Sequence, residues 1–186
     1  MARQDPQRLE ICRIGRSLFE RGYVHATAGN ISVRLDEADG GGFLITPIYA
    51  AAPEARCIVH THSTHLVALT LQGVWRPDDI VPPLTPYYVM KVGHVPLIPY
   101  HRPGDPVVAE ALAQVIAAAA QRGTPLRAVM LDRLGPVVWG ESPAQAMATL
   151  EELEETARLW LMCRPRPAPL TDAQIDDLRR HFGARW

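Results

Sequence analysis

The sequence lacks the features that mark a nucleic-acid binder, a disulfide-built scaffold or a membrane protein. Lys and Arg number 19 against 20 Asp and Glu over 186 residues, a net charge of −1. There is thus no basic excess for phosphate backbones or anionic lipid. Cysteines are few and scattered: Cys12, Cys57 and Cys163, without C-x-x-C spacing. That argues against a disulfide framework and makes the reducing cytoplasm the simplest compartment. Cys12 and Cys57 lie in apolar runs and are expected as small core residues. No apolar stretch approaches the length of a membrane span. Even Ala109–Ala120 is short, alanine-rich and interrupted by Glu110 and Gln114. The first fifteen residues hold no long apolar run and do not read as a secretory signal. Repeats are also absent. What is present is ordinary globular composition, 47% apolar and 21% charged, at a length that suits one domain over residues 1–186.

Punctuation and periodicity divide the chain. Asp5 and Pro6 can open a first helix with Ile11, Ile14, Leu18 and Phe19 on one stripe and Gly22 past its end. Alternation over Asn30–Leu35, a Gly-rich turn over 39–42 and the run Phe43–Thr46 predict a hairpin. Residues 48–53 read as the tail of a helix. Cys57–His62 reads as a short buried strand, and Ser63 as the cap of a helix carrying Leu66, Val67 and Leu69. Residues 74–86 read as a loop, and 95–99 as an extended segment whose prolines favour a sheet edge. Asp105 and Pro106 open a long helix with Val108, Leu112, Val115, Ile116 and Ala119 inside. Two strands follow, over 128–131 and 136–140. Ser142, Pro143 and Gln145 then start a helix lined by Ala146, Leu150, Leu153, Ala157 and Leu161. Its glutamates, Glu151, Glu152, Glu154 and Glu155, are expected mostly outside. After a proline-rich linker, Thr171 and Gln174 cap a last helix through Ile175, Leu178 and Phe182. Helices flanking several short strands imply a layered α/β domain.

Chemistry concentrates in the histidines, five of seven falling between His60 and His101. Positions i and i+2 of a strand share a face, so His60 and His62 can offer two imidazoles to one ion. Their spacing alone is equally compatible with hydrogen-bonded, partly buried histidines. In Thr27-Ala28-Gly29-Asn30-Ile31-Ser32, Gly29 permits a close backbone approach, and Asn30 and Ser32 add polar atoms suited to a small anion. A helix-to-strand turn would look the same. Pro86-Tyr87-Tyr88 offers a phenol as proton donor or as a packed group.

Taken together, these segments resemble the class II aldolase/adducin family. The resemblance lies in Thr27–Arg34, in Leu44-Ile45-Thr46-Pro47, in Val59-His60-Thr61-His62, and in Gly135–Gly140 before a Glu-rich helix. Leu84–Met90 and Pro99–Asp105 look most like its 3-oxo-tetronate 4-phosphate decarboxylase branch. L-Fuculose-phosphate aldolases and L-ribulose-phosphate 4-epimerases are more distant. The resemblance implies an α/β/α domain with a mostly antiparallel central sheet, and a divalent ion, zinc-like, that stabilises an enediolate left by C–C cleavage. It further implies His60 and His62 as metal ligands, Thr27, Gly29 and Asn30 as the phosphate turn, and Tyr87 as a proton donor reaching a neighbouring subunit's site. The resemblance likewise implies a phosphorylated sugar acid as substrate and a homotetramer as the assembly.

Two departures accompany the resemblance. Relatives carry a few dozen residues after Leu-Ile-Thr-Pro, including a glutamate that serves as ligand and base. Here Pro47 runs directly into Ile48. Either a loop is omitted between 47 and 48, the reading favoured by a join that falls inside a helix, or the protein lacks it and is impaired. Leu134 also stands where relatives have a third histidine ligand. His101, or else His65, is the candidate to compensate.

Overall fold

The computed structural model describes residues 6–26, 28–34 and 47–186. The possible cap Asp5, Thr27 and the second hairpin strand over 43–46 lie outside them. Five strands form one sheet: β1 (Asn30–Val33), β2 (Cys57–His60), β3 (Leu97–Ile98), β4 (Ala128–Leu131) and β5 (Gly135–Gly140). Their order is β1-β2-β5-β4-β3. All neighbours are antiparallel except β3 and β4, so the sheet is mostly antiparallel, as the resemblance implies.

The period-2 alternation of the strands builds the layers. Cys57, Val59, Ala128, Met130 and Val138 face one way. They meet Ile14 and Leu18 of α1 (Pro6–Glu20), Leu66 and Leu69 of α3 (Thr64–Gln72), and Ala146, Leu150, Leu153 and Ala157 of α5 (Pro143–Met162). Ile58, Val129, Val137 and Trp139 face the other way. They meet Ile48 and Tyr49 of α2 (Pro47–Ala51) and Leu112, Ile116 and Ala119 of α4 (Val107–Gln121). The result is the expected α/β/α sandwich. A π-helical turn, Tyr88–Val92, carries the small cluster of Val89 against Ile175 and Leu178 of α6 (Asp172–Phe182).

Several caps form as their sequences require. Asp105 accepts from the Val107 N–H at 3.1 Å, and Ser142 from the Gln145 N–H at 3.2 Å. Thr171 and Gln174 make a reciprocal capping box. The edge placement of β3 agrees with its flanking prolines, which cannot donate to a second neighbour.

Four expectations fail. Cys12 is exposed, whereas Cys57 is fully buried. Phe19 and Phe182 are both 68% exposed: each sits in the last turn of its helix, past the residues that α1 and α6 bury, Ile14 and Leu18, and Ile175 and Leu178. Ser63 flanks α3 without capping it through its side chain. That task falls to Glu154, which is only 3% exposed despite its place among exposed-looking glutamates. Its carboxylate accepts from the His65 and Leu66 N–H groups at 2.9 and 3.1 Å, satisfying two donors at the open end of α3.

Candidate functional site

The site is assembled around the end of β2. Cys57–Val59 are wholly buried, and His60 follows at the strand's last position, half-buried. Asn30 pairs with His60 across β1, and Val137 pairs with it across β5. The neighbouring backbone comes so close that two positions admit only glycine. At Gly29, φ is 86°, and an added Cβ would lie 2.7 Å from the His60 carbonyl oxygen. At Gly135, φ is 135°, and a Cβ would lie 2.0 Å from the Thr61 carbonyl oxygen and 3.2 Å from the His62 Cα. The two glycines thus clamp the His60-Thr61-His62 backbone from either side.

His60 is oriented as a metal-ligating histidine is. Its Nδ1 lies 2.9 Å from the Pro136 carbonyl oxygen. A carbonyl only accepts, so Nδ1 carries the proton and Nε2 keeps its lone pair. Burial pushes the His60 pKa down, partly opposed by the Pro136 carbonyl, and His62 lowers it further. Burial also lowers His62, with His25 adding to the effect. Both rings therefore favour the neutral form that binds metals or accepts protons. Their centroids are 5.0 Å apart at an interplanar angle of 63°. His62 lies just past the end of β2, so the pair meets at a strand terminus rather than along a strand face.

The other sequence candidates fare differently. His65 turns toward Glu154, with Nδ1 2.9 Å from Oε1, and is committed to the start of α3. His101 follows β3, the edge strand three places from β2, and the fold does not gather it with His60 and His62. Tyr87 is 61% exposed. It lines a 760 Å³ cleft with Arg21, Tyr23, Lys91, Arg127 and Glu152, a cleft that includes neither His60 nor His62. Asn30 and Gly29 stand beside His60, while Thr27 lies outside the described residues. Sequence reasoning passed over His25, whose ring centroid is 6.1 Å from that of His62.

Among the described residues, no group of three or more His, Cys, Asp or Glu is arranged to hold a metal ion. A ligand pair with an oriented imidazole is present, but a full protein sphere is not. Leu134 closes the Leu131–Leu134 turn, its N–H donating to the Leu131 carbonyl at 3.1 Å. It brings a hydrocarbon immediately before the Gly135 clamp.

This frame matches a known one. The profile for the class II aldolase and adducin N-terminal domain matches residues 9–48 and 47–161. The chain belongs to the class II aldolase/adducin family. The profile is met in two pieces that join at 47–48, where α2 itself runs unbroken from Pro47 to Ala51. A 3-oxo-tetronate 4-phosphate decarboxylase of Cupriavidus necator is 49% identical over 228 residues, covering 100% of both chains. One from Escherichia coli is 36% identical, covering 92% of this chain and 94% of its own. The crystal structure of YgbL, a putative aldolase/epimerase/decarboxylase from Klebsiella pneumoniae, superposes with a TM-score of 0.76 at 35% identity, covering 93% of this chain and 97% of that one. The L-fuculose-1-phosphate aldolase of Thermus thermophilus, at 24% identity and a TM-score of 0.62 over 86% of this chain and 97% of its own, shares the fold.

Proposed function

We propose that this protein is a carbon–carbon lyase that decarboxylates a 3-oxo-tetronate 4-phosphate to a ketotriose phosphate. The observation that carries the reading is the likeness to the Cupriavidus necator decarboxylase over the whole of both chains. The imidazole pair and its glycine clamp supply the structural support. In the reaction the C1–C2 bond breaks, carbon dioxide leaves, and the electron pair passes into an enediolate over C2 and C3. C2 then takes up a proton. The developing charge on the C3 oxygen needs an electrophile, and the class II aldolase family generally uses a divalent metal.

The roles follow from position. His60 and His62 are neutral nitrogen donors at the end of β2, a donor type that suits zinc, so Zn2+ is the ion we assign. Gly29 and Asn30, with Thr27, form the turn proposed to take the substrate phosphate. Tyr87 is exposed and lines a cleft that His60 and His62 do not share. We therefore assign it as a proton donor to a neighbouring subunit in a homotetramer. No helix among the described residues is long and apolar enough to cross a membrane. With three unpaired cysteines, the cytoplasm is the location we propose. We read the chain as one domain with a loop skipped at the Pro47–Ile48 join, where the family's carboxylate base would be carried. Intact mass spectrometry tests that reading. A mass above 20.6 kDa by the weight of the segment supports it, and a mass of 20.6 kDa refutes it.

Leu134 favours a second reading, a family member that binds without catalysis. Carbon dioxide release from a 3-oxo-tetronate 4-phosphate separates the two. An aldehyde product from a related sugar phosphate would instead move the assignment to an aldolase.

A further inference from the structure

We infer that Thr85 and Glu152 are positioning residues that aim the Tyr87 phenol. The inference rests on the proposed reading in taking Tyr87 as the proton donor. Pro86 and Tyr87 are helical and run into the π-helical turn Tyr88–Val92, Tyr87 with φ of −67° and ψ of −38°. The Tyr87 ring is 61% exposed, so packing does little to fix it. Its direction is set instead by the backbone, on which the available rotamers depend. Thr85 holds that backbone at its start. The Thr85 hydroxyl accepts from the Tyr88 N–H at 3.0 Å, and the Thr85 carbonyl accepts from the Val89 N–H at 3.3 Å. Both bonds satisfy donors that the start of a helix leaves open, and Pro86 has no N–H to satisfy. Thr85 is thus the cap of this segment, with Tyr87 enclosed between the cap and the residue it bonds. The same hydroxyl donates to Glu152 Oε1 at 3.2 Å. That bond points the hydroxyl proton at α5 and leaves a lone pair for the Tyr88 N–H. On the far side of Tyr87 the segment is fastened by Tyr88, which is fully buried and whose ring meets Trp186 edge-on at 5.6 Å. Glu152 and Tyr87 line the same cleft. Glu152 and Thr85 therefore tie the turn that carries the phenol to a helix of the core. Proton transfer needs a heavy-atom approach of about 2.6–3.2 Å, so a small tilt of this turn takes the phenol out of reach.

The test measures carbon dioxide release and, separately, the fluorine NMR signal of a fluorotyrosine placed at position 87, both in the full-length protein. Thr85→Val keeps the shape of the side chain and removes the hydroxyl. It is expected to lower kcat roughly tenfold or more with KM unchanged, since a small misplacement of a reacting group costs up to about a hundredfold. Thr85→Ser, which keeps the hydroxyl, is expected to restore kcat. In a Tyr87→Phe background, Thr85→Val is expected to cause no further fall, because both changes act through one group. The fluorine signal is expected to shift and broaden in Thr85→Val and to return in Thr85→Ser. Glu152→Gln, which lies outside the turn, is expected to move both readouts the same way by a smaller amount, and it decides the matter where Thr85→Val fails to fold. A fluorine signal unmoved in Thr85→Val and Glu152→Gln overturns the inference. So does a fall in kcat for Thr85→Val that adds in full to that of Tyr87→Phe, which would leave the hydroxyl a structural role alone. A wild type that releases no carbon dioxide removes the decarboxylase reading, and the fluorine signal, which needs no turnover, still decides whether Thr85 and Glu152 aim the phenol.

Discussion

The two sides of the His60–His62 pair differ sharply in how completely they are built. The backbone side is fixed to the atom. Gly29 and Gly135 press on the carbonyls of His60 and Thr61, and the Pro136 carbonyl holds the His60 ring. The ligand side is sparse: Leu134 offers no donor, the family profile breaks at 47–48, and His101 and His65 are elsewhere. The contrast teaches that a site's frame and its coordinating groups are separable. The frame is encoded in close backbone packing, which tolerates no side chain. The donors are single residues on turns, which can be exchanged without disturbing the fold.

The frame should break hardest. Gly135→Ala forces a methyl into the Thr61 carbonyl at a positive φ, a backbone clash that no rotamer relieves. A loss of about 4 kcal/mol or more, or failure to fold, is expected in denaturant titration. Stability near that of wild type would mean the clamp is not tight.

Glu154→Ala comes next. It strands the His65 and Leu66 N–H groups at the buried start of α3 and frees His65. A cost of about 3 kcal/mol is expected, read as a lowered urea midpoint, with Glu154→Gln losing less. A loss below about 1 kcal/mol would show that water replaces the carboxylate.

The smallest effect concerns pH. His60 and His62 have folded pKa values below the ordinary histidine value of 6.5. The native state therefore binds fewer protons than the unfolded chain. Their stabilising contribution is fully present above 6.5 and is lost as pH falls from there through the lowered folded values. His60→Gln should flatten the fall in stability over that acid range, measured by thermal melts from pH 7.5 to 5. An unchanged slope would place the acid sensitivity elsewhere.

Much of this contrast was legible in the sequence. The alternation of Cys57–His60 and of the 128–131 and 136–140 runs marked the central strands. The caps at Asp105, Ser142 and Thr171 marked helix starts, and the motif order marked the family. The burial of Glu154 was missed because it lies in a run of glutamates. Its spacing from Leu150 and Ala157, four before and three after, does put it on the inner stripe. Ser63 looked like a cap because residue type alone does not show which side chain reaches the open N–H groups. His25 was missed because a lone histidine in a turn carries no periodic signal, and only the return of β1 beside β2 brings it to His62. Exposure of Phe19 and Phe182 depends on where each helix's packing partners end, which spacing does not encode.

The most direct test of the central claim is carbon dioxide release from a synthetic 3-oxo-tetronate 4-phosphate by the purified protein, with and without added Zn2+, beside His60→Ala. The account predicts metal-stimulated release with a ketotriose phosphate as co-product, and a fall of roughly a hundredfold or more in kcat/KM for His60→Ala, since even outer partners of metal ligands cost up to about that much. No release by the wild-type protein, or release that His60→Ala leaves intact, would contradict it.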